Sequence, residues 1–146
     1  MRKIVIITPV YNDWESFTKL VSEINKVILK FKDISFSLIV INDGSKDKAP
    51  PLSIPDRLET IEVLNMSINQ GHAICLANGI KYALKNYKFD SLILMDADGE
   101  DRPEELYDLI NEAKKLKNIS VVAKRVKRSE GPVFTLFYSL HKILTL

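Results

Sequence analysis

Short apolar runs alternate with amphipathic stretches along this chain, and that alternation restricts it to few folds. Residues 4–7 are unbroken apolar sequence, as a strand buried on both faces requires. They end in Thr8-Pro9-Val10-Tyr11-Asn12-Asp13, which reads as turn chemistry. Phe17, Leu20, Val21, Ile24, Val27, Ile28 and Phe31 then recur at helical spacing. Asn12 followed by Glu15 is the expected capped start of that helix. Residues 36–41 form a second apolar strand, after which Pro50, Pro51 and Pro55 break the chain into a loop. Residues 60–64 alternate weakly, as an edge strand does.

Asn69-Gln70-Gly71 opens a second helix, with Ile74, Ala77, Ile80, Ala83 and Leu84 on one face. Residues 92–95 give a fourth strand. Pro103, Glu104 and Glu105 suit the first turn of a third helix, whose buried face is Leu106, Leu109, Ile110, Ala113 and Leu116. Residues 120–123 predict a short fifth strand, and a further helix begins near Pro132.

Strands alternating with helices mean an α/β fold: a mostly parallel sheet, helices on both faces, right-handed crossovers. With 46% hydrophobic residues, 146 positions are enough for a single core and too apolar for a disordered chain. Residues 1–146 therefore read as one domain. The single cysteine, Cys75, excludes a disulfide scaffold and reads as a helix-face residue rather than a nucleophile. No apolar run approaches the roughly 18 residues that span a bilayer. Met1-Arg2-Lys3 followed by residues 4–7 is too short for a secretory leader. A net charge of +2 gives no general attraction to nucleic acid. These features predict a cytoplasmic protein.

Polar clusters follow the first, second and fourth strands, and α/β sheets bind ligands in the crevice outside those carboxyl ends. Strand geometry thus gathers Tyr11, Asp43, Asp96 and Asp98. Two carboxylates in Asp96-Ala97-Asp98 suit a hard cation and the phosphates it carries. An acidic loop capping the third helix is the plainer alternative, and Glu100, Asp101, Glu104 and Glu105 fit it. Asp43-Gly44-Ser45 offers an acceptor to a base or ribose, yet Asp-Gly is also an ordinary turn. Asn69-Gln70-Gly71-His72 offers backbone N–H groups to a phosphate, or is simply a helix start. No partner able to orient His72 is readable. Lys124-Arg125-Val126-Lys127-Arg128 is a solvated basic loop, a diphosphate clamp or a contact for anionic lipid. No GxxxxGK[ST], GxGxxG, GxSxG or HExxH pattern occurs.

Four of these segments stand in the order and spacing of the family-two inverting glycosyltransferases with the GT-A fold, which the chain resembles over residues 4 to 128. They are Thr8-Pro9-Val10-Tyr11-Asn12, Val40-Ile41-Asn42-Asp43-Gly44-Ser45-Lys46-Asp47, Asn69-Gln70-Gly71 with Ala77-Asn78-Gly79, and Leu94-Met95-Asp96-Ala97-Asp98. The resemblance implies a Rossmann-like nucleotide-sugar-binding domain. It assigns Pro9, Tyr11, Asn12 and Asp43 to the nucleoside pocket, with Gly71 and Ala97 also against the nucleotide. It brings Asp96 to the ribose or diphosphate and gives Asp98 the metal, Mg²⁺ or Mn²⁺. Asn42 stands where the family often has a first acid.

The basic segment and the apolar stretch after it are similar to polyprenyl-phosphate glycosyltransferases of the dolichyl-phosphate mannose synthase and bactoprenol glucosyltransferase type. That likeness places Arg125 and Arg128 near donor or acceptor phosphate, and Phe134, Phe137 and Tyr138 against lipid. Residues 124–146 would then touch the cytoplasmic face of a membrane. Asp96, Asp98 and Arg125 carry the implied catalysis. The implied partners are a nucleoside-diphosphate sugar donor and a lipid-phosphate or glycan acceptor.

Two other classes share parts of this pattern. Haloacid-dehalogenase-like phosphatases also read as strand then DxDG, but their nucleophile follows the first strand, and Thr or Val usually follows the glycine. Here the motif follows the fourth strand and Glu100 follows Gly99. A donor-binding fragment without turnover is the second alternative, because family members generally continue beyond this length. The acceptor part is expected to be largely missing. The apolar residues 133–146 read as a helix cut by truncation of the chain or covered by a second copy in a homodimer.

Overall fold

A computed structural model describes residues 1–52 and 54–115. Strand β2 (Ile34–Asn42) is buried at each of its nine positions, which sets it inside the sheet. β1 (Arg2–Val10) pairs parallel with β2 on one side and with β4 (Ser91–Leu94) on the other. β3 (Leu58–Asn65) pairs parallel with the outer side of β2, giving the order β3-β2-β1-β4. The expected α/β architecture and the edge position of β3 are borne out.

Helices cover both faces. α1 (Trp14–Ile28) and α3 (Leu106–Lys115), the latter preceded by a 3-10 turn at Pro103–Glu105, share one core with Ile4, Ile6, Phe36 and Leu38. α2 (His72–Asn86) covers the opposite face through Cys75 and Ala83, against Val5, Ile7, Ile39 and Ile41. Alternation along each central strand divides its side chains between these two cores.

Several local expectations are corrected. Thr8, Pro9 and Val10 extend β1 rather than turning. Proline is tolerated there because the Ile7 carbonyl bonds Met95 on the β4 side. Pro9, two residues on, faces that same side, and the ladder with β4 ends at Ile7, so no N–H is missed. Asp13, not Asn12, caps α1, its carboxylate accepting the Ser16 N–H at 3.0 Å. The buried line of α2 is Cys75, Gly79 and Ala83, while Ile74 and Leu84 are exposed. Small residues let this helix lie close to the sheet. A Cβ on Gly79 would stand 2.7 Å from Ile7 Cγ2, inside van der Waals contact. Leu106 and Ile110 are buried as expected. The expected fifth strand, the basic segment with Arg125 and Arg128, and the apolar residues 133–146 lie outside the described residues. Among the described residues, no helix is long and apolar enough to cross a membrane.

Candidate active site

All four strands run the same way, so the segments after β1, β2 and β4 emerge at one end of the sheet. Asn12 holds the first segment to the second. It adopts a left-handed backbone with φ 53°, which asparagine tolerates better than most residues. Its N–H donates to Ser45 Oγ at 2.9 Å and its Oδ1 accepts the Lys46 N–H at 2.8 Å. That engagement is why Asn12 cannot cap α1. Trp14 Nε1 donates to the Asp47 carbonyl and pins the same loop further out. Beside this tie, the Tyr11 ring is 49% exposed and Pro9 is half-buried.

Asp43 joins the second segment to the start of α2. Its Oδ1 accepts the Gln70 N–H at 2.7 Å and its Oδ2 the Gly71 N–H at 2.9 Å. Burial by itself would push this carboxyl up. The Gln70 N–H, the Cys75 thiol and the Gly71 N–H outweigh it and hold the group below its ordinary value. In return, burial and the Asp43 carboxylate push the Cys75 thiol up to about 12. A thiol so held is not a nucleophile, as its sequence context suggested. Gly44 has φ +69°, and a Cβ there would meet the Ile68 and Asn69 backbones at 2.6 Å. The loop before α2 therefore lies directly on the Asp-Gly turn. Asn42, at the position of the family's first acid, donates through Nδ2 to Asn65 Oδ1 and accepts the Ser45 N–H.

The acidic loop after β4 is fixed from within. Asp101 Oδ2 accepts the Asp96 N–H at 2.8 Å, and Asp98 Oδ1 accepts the Glu100 N–H at 2.9 Å. Ala97 is buried against the α1-side core, so the residues beside it turn outward. Asp98 lines a groove of about 580 Å³ shared with Ser16 and Lys19 of α1 and with Arg102. Asp96 lies toward the start of α2, where its Oδ1 is 3.5 Å from His72 Nδ1. Burial raises the Asp96 carboxyl. His72 opposes the rise, while Asp101, Asp98 and Glu100 add to it.

The structure thus brings Asp43, Gly71 and Asp96 together around the first residues of α2, with Tyr11 and Asn12 on the adjoining loop. Arg125 lies outside the described residues. Sequence reasoning missed the His72–Asp96 pair, because the two residues sit on separate segments and share no motif. Asp101, which in sequence fits the alternative of a helix-capping loop, instead closes the acidic loop on the Asp96 N–H. An acid five residues beyond Asp96 and two beyond a glycine was the available signal for a closed loop.

Among the described residues, no group of three His, Cys, Asp or Glu side chains is placed to hold a metal ion. Two accessible carboxylates still fit a Mg²⁺ or Mn²⁺ ion that arrives on a phosphate and takes its other ligands from phosphate oxygens and water. The donor set suits such an ion better than a resident metal centre.

The sequence profile of Glycosyl transferase family 2 matches residues 5–143. An uncharacterised glycosyltransferase of Synechocystis sp. is 32% identical over 127 residues, covering 86% of this chain and 38% of that protein. A dolichyl-phosphate β-glucosyltransferase of Trichomonas vaginalis is 30% identical, covering 96% and 44%. A dolichol-phosphate mannosyltransferase of Pyrococcus furiosus is 27% identical, covering 86% and 34%. The chain spans about two fifths of the length of such relatives. Among solved structures, TarS residues 1–349 of S. aureus superpose with a TM-score of 0.53 at 20% identity, covering 87% of this chain and 39% of that 1–349 chain. That likeness is one of fold.

Proposed function

The chain belongs to glycosyl transferase family 2, and from that premise we propose that its crevice binds the nucleoside-diphosphate end of a sugar donor for transfer to a polyprenyl phosphate. The observation that carries this reading is the meeting of Asp43, Gly71 and Asp96 at the start of α2. Relatives named for dolichyl and dolichol phosphate support the acceptor class.

Tyr11 and Pro9 line the nucleoside side, with Asn12 and Asp43 holding the loops that frame it. The first turn of α2 carries no side-chain cap, and its positive dipole end favours an anion, so the diphosphate lies toward that turn. Asp98, with Asp96 beside it, would hold a Mg²⁺ or Mn²⁺ ion, which offsets charge on the departing nucleoside diphosphate. A single displacement by the acceptor oxygen inverts the anomeric carbon. Lipid phosphate, with a second pKa near ~6, is already anionic at neutral pH and needs no strong base. By resemblance, Arg125 and Arg128 steady donor or acceptor phosphate, and residues 124–146 meet the cytoplasmic membrane face.

Calorimetric titration with UDP, GDP and dTDP, with and without Mn²⁺, tests the reading beside a donor-hydrolysis assay. Mn²⁺-dependent binding of at least one nucleoside diphosphate, weakened about tenfold or more in Asp98→Ala, is expected. Failure to bind all three rejects the donor site. Metal-independent binding undiminished in Asp98→Ala rejects the metal assignment. Binding without donor turnover assigns these residues the donor-binding part alone.

A further inference from the structure

His72 is the first residue of α2, and its side chain faces the acidic loop across the crevice. The residue before it, Gly71, gives its N–H to Asp43, and His72 Nδ1 stands 3.5 Å from Asp96 Oδ1. One helix start thereby ties the segment after β2 to the segment after β4. The Asp96 backbone is already held by Asp101, so the His72 contact is what remains to fix its side chain. Both side chains are about half exposed, at 53% and 40%, which leaves them open to a ligand.

We propose that His72 is a positioning residue of the donor site, holding the Asp96 carboxylate through Nδ1–H so that this acid faces the diphosphate. The inference rests on the donor-site reading above. Nδ1 is the ring nitrogen that faces the carboxylate, and when it carries a proton it is a donor. Such an arrangement fixes rotamers before the ligand arrives, which reduces the ordering cost of binding. His72 works on the ligand only through Asp96.

Calorimetric titration with Mn²⁺ and the nucleoside diphosphate that the unmodified chain binds most tightly tests this. Asparagine places its amide nitrogen near the position of Nδ1, and glutamine near that of Nε2. His72→Ala and His72→Gln are expected to weaken binding about fivefold, the scale of a half-exposed pair. His72→Asn should stay within about twofold of the unmodified chain. With Asp96→Ala already present, His72→Ala should add almost nothing, because residues acting through one contact are non-additive. Thermal melting checks that each variant is folded, which the exposure of His72 favours.

Three results would overturn the role: rescue by glutamine but not asparagine, effects of His72→Ala and Asp96→Ala that simply multiply, or a His72→Ala variant binding as tightly as the unmodified chain. The first would move the working nitrogen to Nε2, in direct contact with the ligand. An unmodified chain that binds no nucleoside diphosphate rejects the donor-site reading itself, a separate outcome.

Discussion

The backbone N–H of Gly71 donates to Asp43 Oδ2 at 2.9 Å across 28 positions of sequence. Together with the Gln70 N–H on Oδ1, it makes a 4%-exposed carboxylate the joint between β2 and α2. A residue that the family resemblance assigns to a nucleoside thus also ties the end of β2 to the chain entering the helix behind the crevice.

Asp43→Ala strands two N–H donors beneath the loop and should cost about 3 kcal/mol of stability. Asp43→Asn keeps one acceptor oxygen and should cost roughly half as much. Urea unfolding followed by the fluorescence of the single tryptophan, Trp14, measures both. Equal stability of all three chains would remove the clamp.

Acid titration should separate Asp43 from Asp96. Asp43 is held below its ordinary value, so its contribution is present above the unfolded carboxylate pKa of about 4 and fades as pH falls through the lower folded value. Asp96 is raised, by burial first, so its contribution is present below that same unfolded pKa of about 4 and is lost as pH rises through the higher folded value. The stability of the unmodified chain relative to Asp43→Asn should therefore grow as pH rises from acid toward neutral. Relative to Asp96→Asn it should shrink over the same range. Urea midpoints at several pH values give both difference curves, and slopes of equal sign would contradict this account.

Two glycines with positive φ should differ in tolerance. Gly71→Ala meets nothing within 4 Å, so only the strain of its φ 90°, ψ 158° backbone applies, a region essentially confined to glycine and costing about 1–3 kcal/mol. Gly44→Ala adds a collision with the Ile68 and Asn69 backbones at 2.6 Å, and should lose about 3 kcal/mol or more. Thermal denaturation that ranks them the other way would contradict the close approach of the two loops.

Asn12 offers a separation of conformation from bonding. Asn12→Gly keeps the left-handed backbone and loses the bond to the Lys46 N–H, costing about 1 kcal/mol. Asn12→Ala loses both, about 2 kcal/mol. Exchange of the Lys46 amide should accelerate in both variants, by about fivefold or more. An unchanged rate would mean that this tie does not form in solution.

What sequence alone determined follows from periodicity. Unbroken apolar runs at β1 and β2 and helical spacing in α1 dictate strand, helix and a parallel sheet, because each element must bury its own apolar face. Three strand-end clusters must then share one end of the sheet, and that requirement alone makes Tyr11, Asp43, Asp96 and Asp98 candidates. Tertiary structure decided which groups meet. Asp43 bonds Gln70 and Gly71, Asn12 bonds Lys46, and His72 meets Asp96, all across separations that no local spacing encodes. It also set which face of α2 is buried, since Gly79 admits close approach where Ile74 and Leu84 do not. A hydrophobic pattern reports what a segment must hide. Which polar groups then lie within hydrogen-bonding reach of one another depends on how the hidden faces pack.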